Sequence, residues 1–475
     1  MKKFLWIVFL IGLAARLIPV LFSINLGIGL DDMFQYDMLA RSLSSGNGYR
    51  WYGQEDLSLL TNYLKGMGIE IHDVPYDPRG FITSFRAPLY PVFLAFIYIF
   101  FGLGTRFFFA RLAQAFIGAL LAPLTFSIAL QVFPNKEKIA RIAAWIICLY
   151  PMLLLYPMAL ATENLFIALL LVSMLFLLKA SKTGKLNFFL FAGIFLGLTA
   201  LTRSVISLFV GLAALWLFMK DSKKGAVLMS LAALLVIMPW VVRNSLLYKA
   251  PSFIENSLGY NLYLGYHPEN SGTFNALYSL DLLFIFDDFE RDQYAKNLVK
   301  QFIKEDPYRV PYLVIRKLGY FFGMERRAIM WFYSNNFFGP IPLPILFFLA
   351  AVFWLPFIFI SLLAASGSFF ISRNHELRLI VILIIGYLIP HLFLLSEDRF
   401  HMTLVPFIAI LAAYVWDRRT TIMIEAKKPQ NRFILIASIL MMSLLIFNWG
   451  SEFVFDWDRF VQMFSPGGNV ARFTY

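Results

Sequence analysis

The chain has 475 residues, of which 60% are hydrophobic, 18% aromatic and only 15% charged, with a mean hydropathy of +0.70. That apolar share lies well above the roughly 45–50% of an ordinary globular domain and excludes a water-soluble one. The net charge of +12 invites a nucleic-acid reading, but the excess cations sit in short turns between apolar runs, where they face anionic lipid, so that class is excluded too.

A transmembrane helix needs about 20 apolar residues to cross about 30 Å of hydrocarbon. Such runs are predicted near residues 4–24, 107–133, 139–157, 164–179, 186–202, 204–220, 225–246, 341–365, 378–395, 401–416 and 432–449. Lys2-Lys3 ahead of Phe4 to Phe22 resembles a signal sequence but lacks a small-residue cleavage site, so it reads as an uncleaved anchor. Arg16, inside that run, has two open readings: a carboxylate partner, or snorkelling to the interface. The single cysteine, Cys148, falls inside a span, so no intramolecular disulfide forms.

The apolar run 88–104 is short, opens Pro-Leu-Tyr-Pro and closes at Gly102-Leu-Gly, and is assigned to the interface. With that assignment the cytosolic segments hold 18 of the 41 Lys and Arg residues and 5 of the 29 Asp and Glu residues, leaving 23 basic against 24 acidic elsewhere. This is a nearly complete positive-inside bias; counting 88–104 as a span inverts every later turn and destroys it.

The expected architecture is an all-α membrane protein of about 11 transmembrane helices with two outer-face caps containing interfacial helices. Residues 1–246 form an N-terminal transmembrane catalytic module with a first outer loop over 25–106. Residues 247–340 form the outer cap, 341–449 the C-terminal transmembrane helices and 450–475 an outer tail. In the first loop, Asp31 to Leu43 has helical spacing with Met33, Phe34, Met38, Leu39 and Leu43 apolar, and Gly46-Asn-Gly48 ends it. A second helical pattern covers Asp288 to Lys304 in the cap.

Ionisable groups beside apolar spans are costly and mark functional regions. Asp31, Asp32, Arg86, Glu163, Arg203, Arg243, His267, Glu397, Arg399 and His401 all fall at the outer ends of spans or in the outer loops, from six regions of sequence. Carboxylates take a proton or hold a cation, and arginines hold phosphate by paired hydrogen bonds. A sugar linked through phosphate to a polyprenol needs both: a base for the acceptor hydroxyl and cations for the departing phosphate. Each residue has a plainer alternative. Asp31 and Asp32 suit a helix N-terminus, Glu163 a cap of the following helix, and the arginines interfacial anchors. Glu397, Arg399 and His401 suit mutual ion pairing, and His267 an ordinary hydrogen-bonded surface or core group.

The ordered motifs are Asp32-x3-Tyr36-x3-Ala40-x2-Leu43-x2-Gly46-x-Gly48-Tyr49, Arg86-Ala-Pro88-Leu-Tyr-Pro91, Thr162-Glu163, Leu201-Thr-Arg203, Pro239-Trp240-x2-Arg243-Asn244 and Glu397-x-Arg399. In that order they resemble the C-type, polyprenyl-phosphate-sugar-dependent glycosyltransferases, in the group of protein O-mannosyltransferases and aminoarabinose transferases. The resemblance implies inverting transfer to a lipid, glycan or protein acceptor. Asp32 serves as base with Asp31 beside it, and Arg86, Arg203 and Arg243 hold the donor phosphate. Glu163, Asn244, Glu397 and Arg399 position the sugar or a cation. The acidic residue that commonly follows the family's aspartate is Met33 here, with Asp31 as its substitute, while Glu163 matches the family's second acidic position; the Glu-Lys pair that precedes the double proline in the aminoarabinose transferases is matched only by Phe85-Arg86-Ala87-Pro88. That loss weakens the case for a divalent metal ion, whose candidate ligands are Glu163 and His267; no cofactor is otherwise implied. The partners are the lipid-linked donor, the acceptor and membrane lipids. The expected location is a cell (inner) membrane, with the N-terminus cytosolic and the active site on the periplasmic or extracellular face. Two rivals stay open: a polymerase or ligase for lipid-linked oligosaccharide, and a polytopic transporter.

Overall fold

Apolar runs with no lipid-phase alternative to internal hydrogen bonding become helices, and each run predicted to span is helical here. The computed structural model describes residues 1–29, 32–66, 77–283, 285–326, 341–371 and 374–465. Among these, eight helices are long and apolar enough to cross a membrane, and the pair Glu137–Leu149 and Pro151–Met158, bent by 53°, passes the same test when its two parts are taken together. The bend follows from Pro151, which holds Tyr150 at an extended ψ of 114°. The two other expected spans are the shorter apolar helices Leu186–Thr202 and Ser204–Phe218. Residues 88–104 fold as Leu89–Phe101, whose 13 residues reach roughly 20 Å at 1.5 Å per residue. That falls short of a crossing.

The helices before residue 246 and those after 341 share one apolar core, with Glu137–Leu149 packed against Val405–Ala426 and Ser207–Phe218 against His375–Phe393. Burial ranks their positions. Asp398–Ala426 is central, 78% of its apolar window being buried, whereas Pro429–Phe455 has 11% buried and offers most of its surface to lipid. Arg16 neither pairs with a carboxylate nor snorkels: its side chain turns into the bundle, where Nη1 donates to the Gly12 carbonyl at 2.9 Å.

Polar straps fix the two long loops at one end of the bundle. Fully buried Arg111 donates to four carbonyl oxygens: Met158 at 3.0 Å, Ser23 at 3.1 Å, Leu26 at 2.6 Å and Gly27 at 2.6 Å. It thereby sets where the chain leaves the first span. The helix Asp32–Ser44 follows, ending at Gly46 and Gly48, both at positive φ. Its buried Asp37 accepts from Arg41 at 2.7 Å, Arg106 at 2.8 Å and the Tyr98 hydroxyl at 2.9 Å. A short antiparallel pair, Arg50–Trp51 with Phe81–Ile82, closes the loop, and Gly80 is obligatory there: a Cβ would lie 2.3 Å from the Trp51 carbonyl oxygen. The second long loop supplies the helix Asp288–Glu305, as its sequence pattern predicts. Asp288 pairs with Arg291 and accepts from Thr83 Oγ1 at 2.5 Å and the Ser84 amide at 2.6 Å. The two loops are thus tied together just before Arg86.

Replacing Arg111 by Ala strands four buried carbonyls, and about 3 kcal/mol of stability is expected to be lost. Thermal unfolding read by a thiol-reactive dye suits this chain, because its one cysteine, Cys148, is buried. An unchanged midpoint would contradict the assignment of Arg111 as the strap of this loop.

Candidate active site

Asp32 opens the helix Asp32–Ser44, beyond the carbonyls of Leu26 and Gly27 that Arg111 holds. Two cations reach its carboxylate from distant sequence. Arg86 Nη2 binds Oδ1, and Arg399 Nη2 binds Oδ2 at 2.8 Å. Gln35 Oε1, one turn along the helix, accepts from Arg86 Nη2 at 2.6 Å and Nε at 2.9 Å, while the guanidinium carbon lies 5.3 Å from the Tyr36 ring centre. Arg399 also pairs through Nε with Glu397 at 2.7 Å and interacts electrostatically with Tyr156. Burial pushes the Asp32 pKa up, but the charges and hydrogen bonds of Arg86 and Arg399 outweigh it and hold the carboxyl well below its usual range. Burial raises the Tyr36 phenol to about 12, so it stays a neutral donor.

A second ion pair lies beside the first. Arg203 interrupts two helices in an extended conformation (φ −148°, ψ 114°), and its Nη1 meets Glu163 Oε1 at 2.6 Å. Glu163 opens its own helix and is buried, and it interacts electrostatically with both Arg399 and Asp32. The Arg203 guanidinium lies 4.9 Å from the Phe400 ring centre, next to Arg399 in sequence. Asp32, Arg86, Glu163, Arg203, Glu397 and Arg399 therefore form one ionic cluster from five segments.

Arg243 and Asn244 stand outside that cluster. Arg243 Nη1 donates to the Thr83 carbonyl at 2.7 Å and to Asn244 Oδ1 at 2.9 Å, and Asn244 Nδ2 donates to the Phe253 carbonyl at 2.8 Å. Both side chains thus hold the backbone on either side of Arg86's loop. His267 lies in an aromatic group of the second long loop, its ring stacked 4.0 Å from that of Tyr278. Asp31 lies outside the described residues. Among the described residues no three His, Cys, Asp or Glu side chains gather as metal ligands. Glu163 and His267, the candidates named from sequence, have Arg203 and Tyr278 as neighbours, so the donor set does not fit a metal centre and no step is routed through one.

Three participants went unnoticed in the sequence. Gln35 was findable, one helical turn from Asp32 and so on its face. Tyr156 depends on the Pro151 bend and Glu255 on a loop path, neither of which local pattern encodes.

Comparison with known proteins adds to this geometry. Residues 86–242 match the family described as dolichyl-phosphate-mannose-protein mannosyltransferase. The matched stretch, about a third of the chain, includes Arg86, Glu163 and Arg203, and the likeness expected from the ordered motifs is met there. No curated protein sequence matches the chain. The apo oligosaccharyltransferase of Archaeoglobus fulgidus has a similar fold, with a TM-score of 0.51 and 15% identity over 100% of this chain and 56% of that one. The same archaeon's AglB, in complex with an inhibitory peptide and a dolichol-phosphate, scores 0.49 at 14% identity, covering 100% and 56%. ArnT from Cupriavidus metallidurans, bound to undecaprenyl phosphate, scores 0.39 at 13% identity, covering 86% and 77%. The chain spans little more than half the length of the archaeal enzyme.

Because its carboxyl is held low in the folded chain, Asp32 contributes stability that is complete above its ordinary value of 3.8 and is lost as pH falls toward the folded-state value. The stability gap between the wild type and Asp32→Asn is accordingly expected to narrow from about pH 5 to pH 2. A gap independent of pH in denaturant unfolding would refute the double pairing. For Glu163 and Arg203, a double-mutant cycle with Gln at both positions is expected to give a coupling of about 1–3 kcal/mol. Additive losses would show the pair to be incidental.

Proposed function

We propose that the chain is a glycosyltransferase that moves a sugar from a polyprenyl-phosphate donor to a hydroxyl-bearing acceptor, with Asp32 as base. The observation that carries this reading is the convergence of Arg86 and Arg399 on one carboxylate, in a chain whose 86–242 segment matches a mannosyltransferase family. In the proposed topology eleven helices cross the membrane, residues 1–246 carry the catalytic loops, 247–340 cover them, and the ionic cluster faces away from the cytosol. The positive-inside charge count supports that sidedness.

The ion pairs describe the resting site. A donor phosphate offers Arg86 and Arg399 a better partner, since guanidinium groups bind phosphate oxygens bidentately. Arg203, one ion pair away, supplies the same phosphate with a third guanidinium, and Arg243 supports the Arg86 loop from behind. As the arginines turn to phosphate, Asp32 loses the two charges that hold its pKa down while burial continues to push it up. It then becomes a competent base. The acceptor oxygen attacks the anomeric carbon as the bond from that carbon to the phosphate oxygen breaks; the acceptor proton passes to Asp32, and polyprenyl phosphate leaves with its charge met by the arginines. One displacement inverts the anomeric centre. The lipid tail of the donor accounts for a site set at the end of a membrane bundle.

Asp32→Asn is expected to lower transfer by at least about 10²-fold while donor binding persists. Release of polyprenyl phosphate from a monosaccharide-linked donor reads this directly. Full activity in the variant would refute the base; release only from an oligosaccharide donor would favour a ligase, and no release a transporter. The pH profile carries a second expectation. The acid limb of kcat, which reports the donor-bound enzyme, should lie at higher pH than that of kcat/KM, which reports the free one. Coincident limbs would contradict the release of Asp32 by phosphate.

A further inference from the structure

Glu255 lies in the segment that leaves the helix Lys223–Tyr248, away from every motif of the sequence. Its two carboxylate oxygens reach different active-site loops. Oε1 accepts the Ala87 amide at 2.9 Å, one residue beyond Arg86, and Oε2 accepts the Ser204 hydroxyl at 2.5 Å, one residue beyond Arg203. Its own backbone is fixed on both sides. The Asn256 amide donates to the Ser84 carbonyl at 3.0 Å, and the Ile254 carbonyl accepts from Trp240 Nε1 at 3.0 Å and Asn244 Nδ2 at 3.2 Å. The carboxylate is therefore a rigid bridge between the two arginine-bearing loops, which no backbone hydrogen bond joins directly among the described residues.

We infer that Glu255 is a positioning residue that sets the spacing of Arg86 and Arg203 for one phosphate group. The inference rests on the reading of these arginines as donor-phosphate ligands. Guanidinium–phosphate recognition is sensitive to displacement on the scale of an ångström, so the distance between the two loops is a determinant of donor affinity. The bridge needs acceptance of an amide proton at one end and any hydrogen bond with a hydroxyl at the other. A glutamine meets both needs, accepting from Ala87 with its carbonyl and donating to Ser204 with its amide. An alanine meets neither.

The test is binding of polyprenyl monophosphate to the purified full chain in detergent, alongside steady-state kinetics with the lipid-linked donor. Glu255→Ala is expected to weaken binding and raise the donor KM by about tenfold, with acceptor KM and kcat at saturating donor changed much less. Glu255→Gln is expected to stay within about threefold of the wild type, and Ser204→Ala to give an intermediate loss. A merely structural role would instead lower unfolding temperature and kcat together and leave donor affinity of the folded fraction intact, which overturns the inference. Should Glu255→Ala fail to fold, Ser204→Ala and Glu255→Gln decide the matter: unchanged affinity in the first, or an alanine-sized loss in the second, overturns it. Arg86→Ala and Arg203→Ala keep the two claims apart. Their failure to weaken monophosphate binding refutes the phosphate reading itself, whereas weakening by them but not by Glu255→Ala refutes only the bridge.

Discussion

Asp32, whose side chain is 30% exposed, is paired twice, by Arg86 and by Arg399, and the rest of the loop end depends on that double pairing. Because those cations lie 54 and 367 residues away in sequence, the pairing requires the first long loop and the start of the Asp398–Ala426 span to meet at one point. Glu163 and Arg203 pair next door, so the charges at this end of the bundle form a balanced set. Such a set stabilises little by itself; removing one member is what costs, since it leaves the partner buried and unpaired. In the proposed reaction a phosphate anion takes over the arginines, and the carboxylate of Asp32 that loses them becomes easier to protonate.

The rest of the loop end serves to hold those groups still. Arg111, Asp37 and Asp288 are buried charges whose partners are backbone carbonyls, other side chains or loop amides, and each ties a loop segment to a helix. They do with polar contacts what a hydrophobic core does elsewhere. Rigid support of this sort is what a binding constellation requires if its geometry is to be set before the ligand arrives.

Eight of the predicted spans were legible in the sequence because the bilayer imposes a simple length and polarity rule, and the run 88–104, set apart by its short core and by charge parity, is the short helix Leu89–Phe101. The surface helix was legible for a similar reason: its apolar positions recur at helical spacing and glycines close it. Sidedness of charge grouped Asp32, Arg86, Glu163, Arg203, Glu397 and Arg399, which the fold brings together, but did not pair them. Arg399, grouped with sugar or cation positioning, contacts Asp32, and Arg243, grouped with the phosphate ligands, donates to the Thr83 carbonyl. Pairing depends on loop paths set by tertiary contacts such as those of Glu255 and Asp288, which leave no periodic trace. Metal ligation, drawn from family likeness through Glu163 and His267, finds those residues engaged with different neighbours.

The central claim is that the resting partners of Asp32 become the partners of the donor phosphate. An experimental structure of the full chain with polyprenyl phosphate bound tests it most directly. The account requires the phosphate within hydrogen-bond distance of Arg86 and Arg399, with their bonds to Asp32 broken and the carboxylate free to face the acceptor. Phosphate bound elsewhere in the chain, with both arginines still on Asp32, would contradict it.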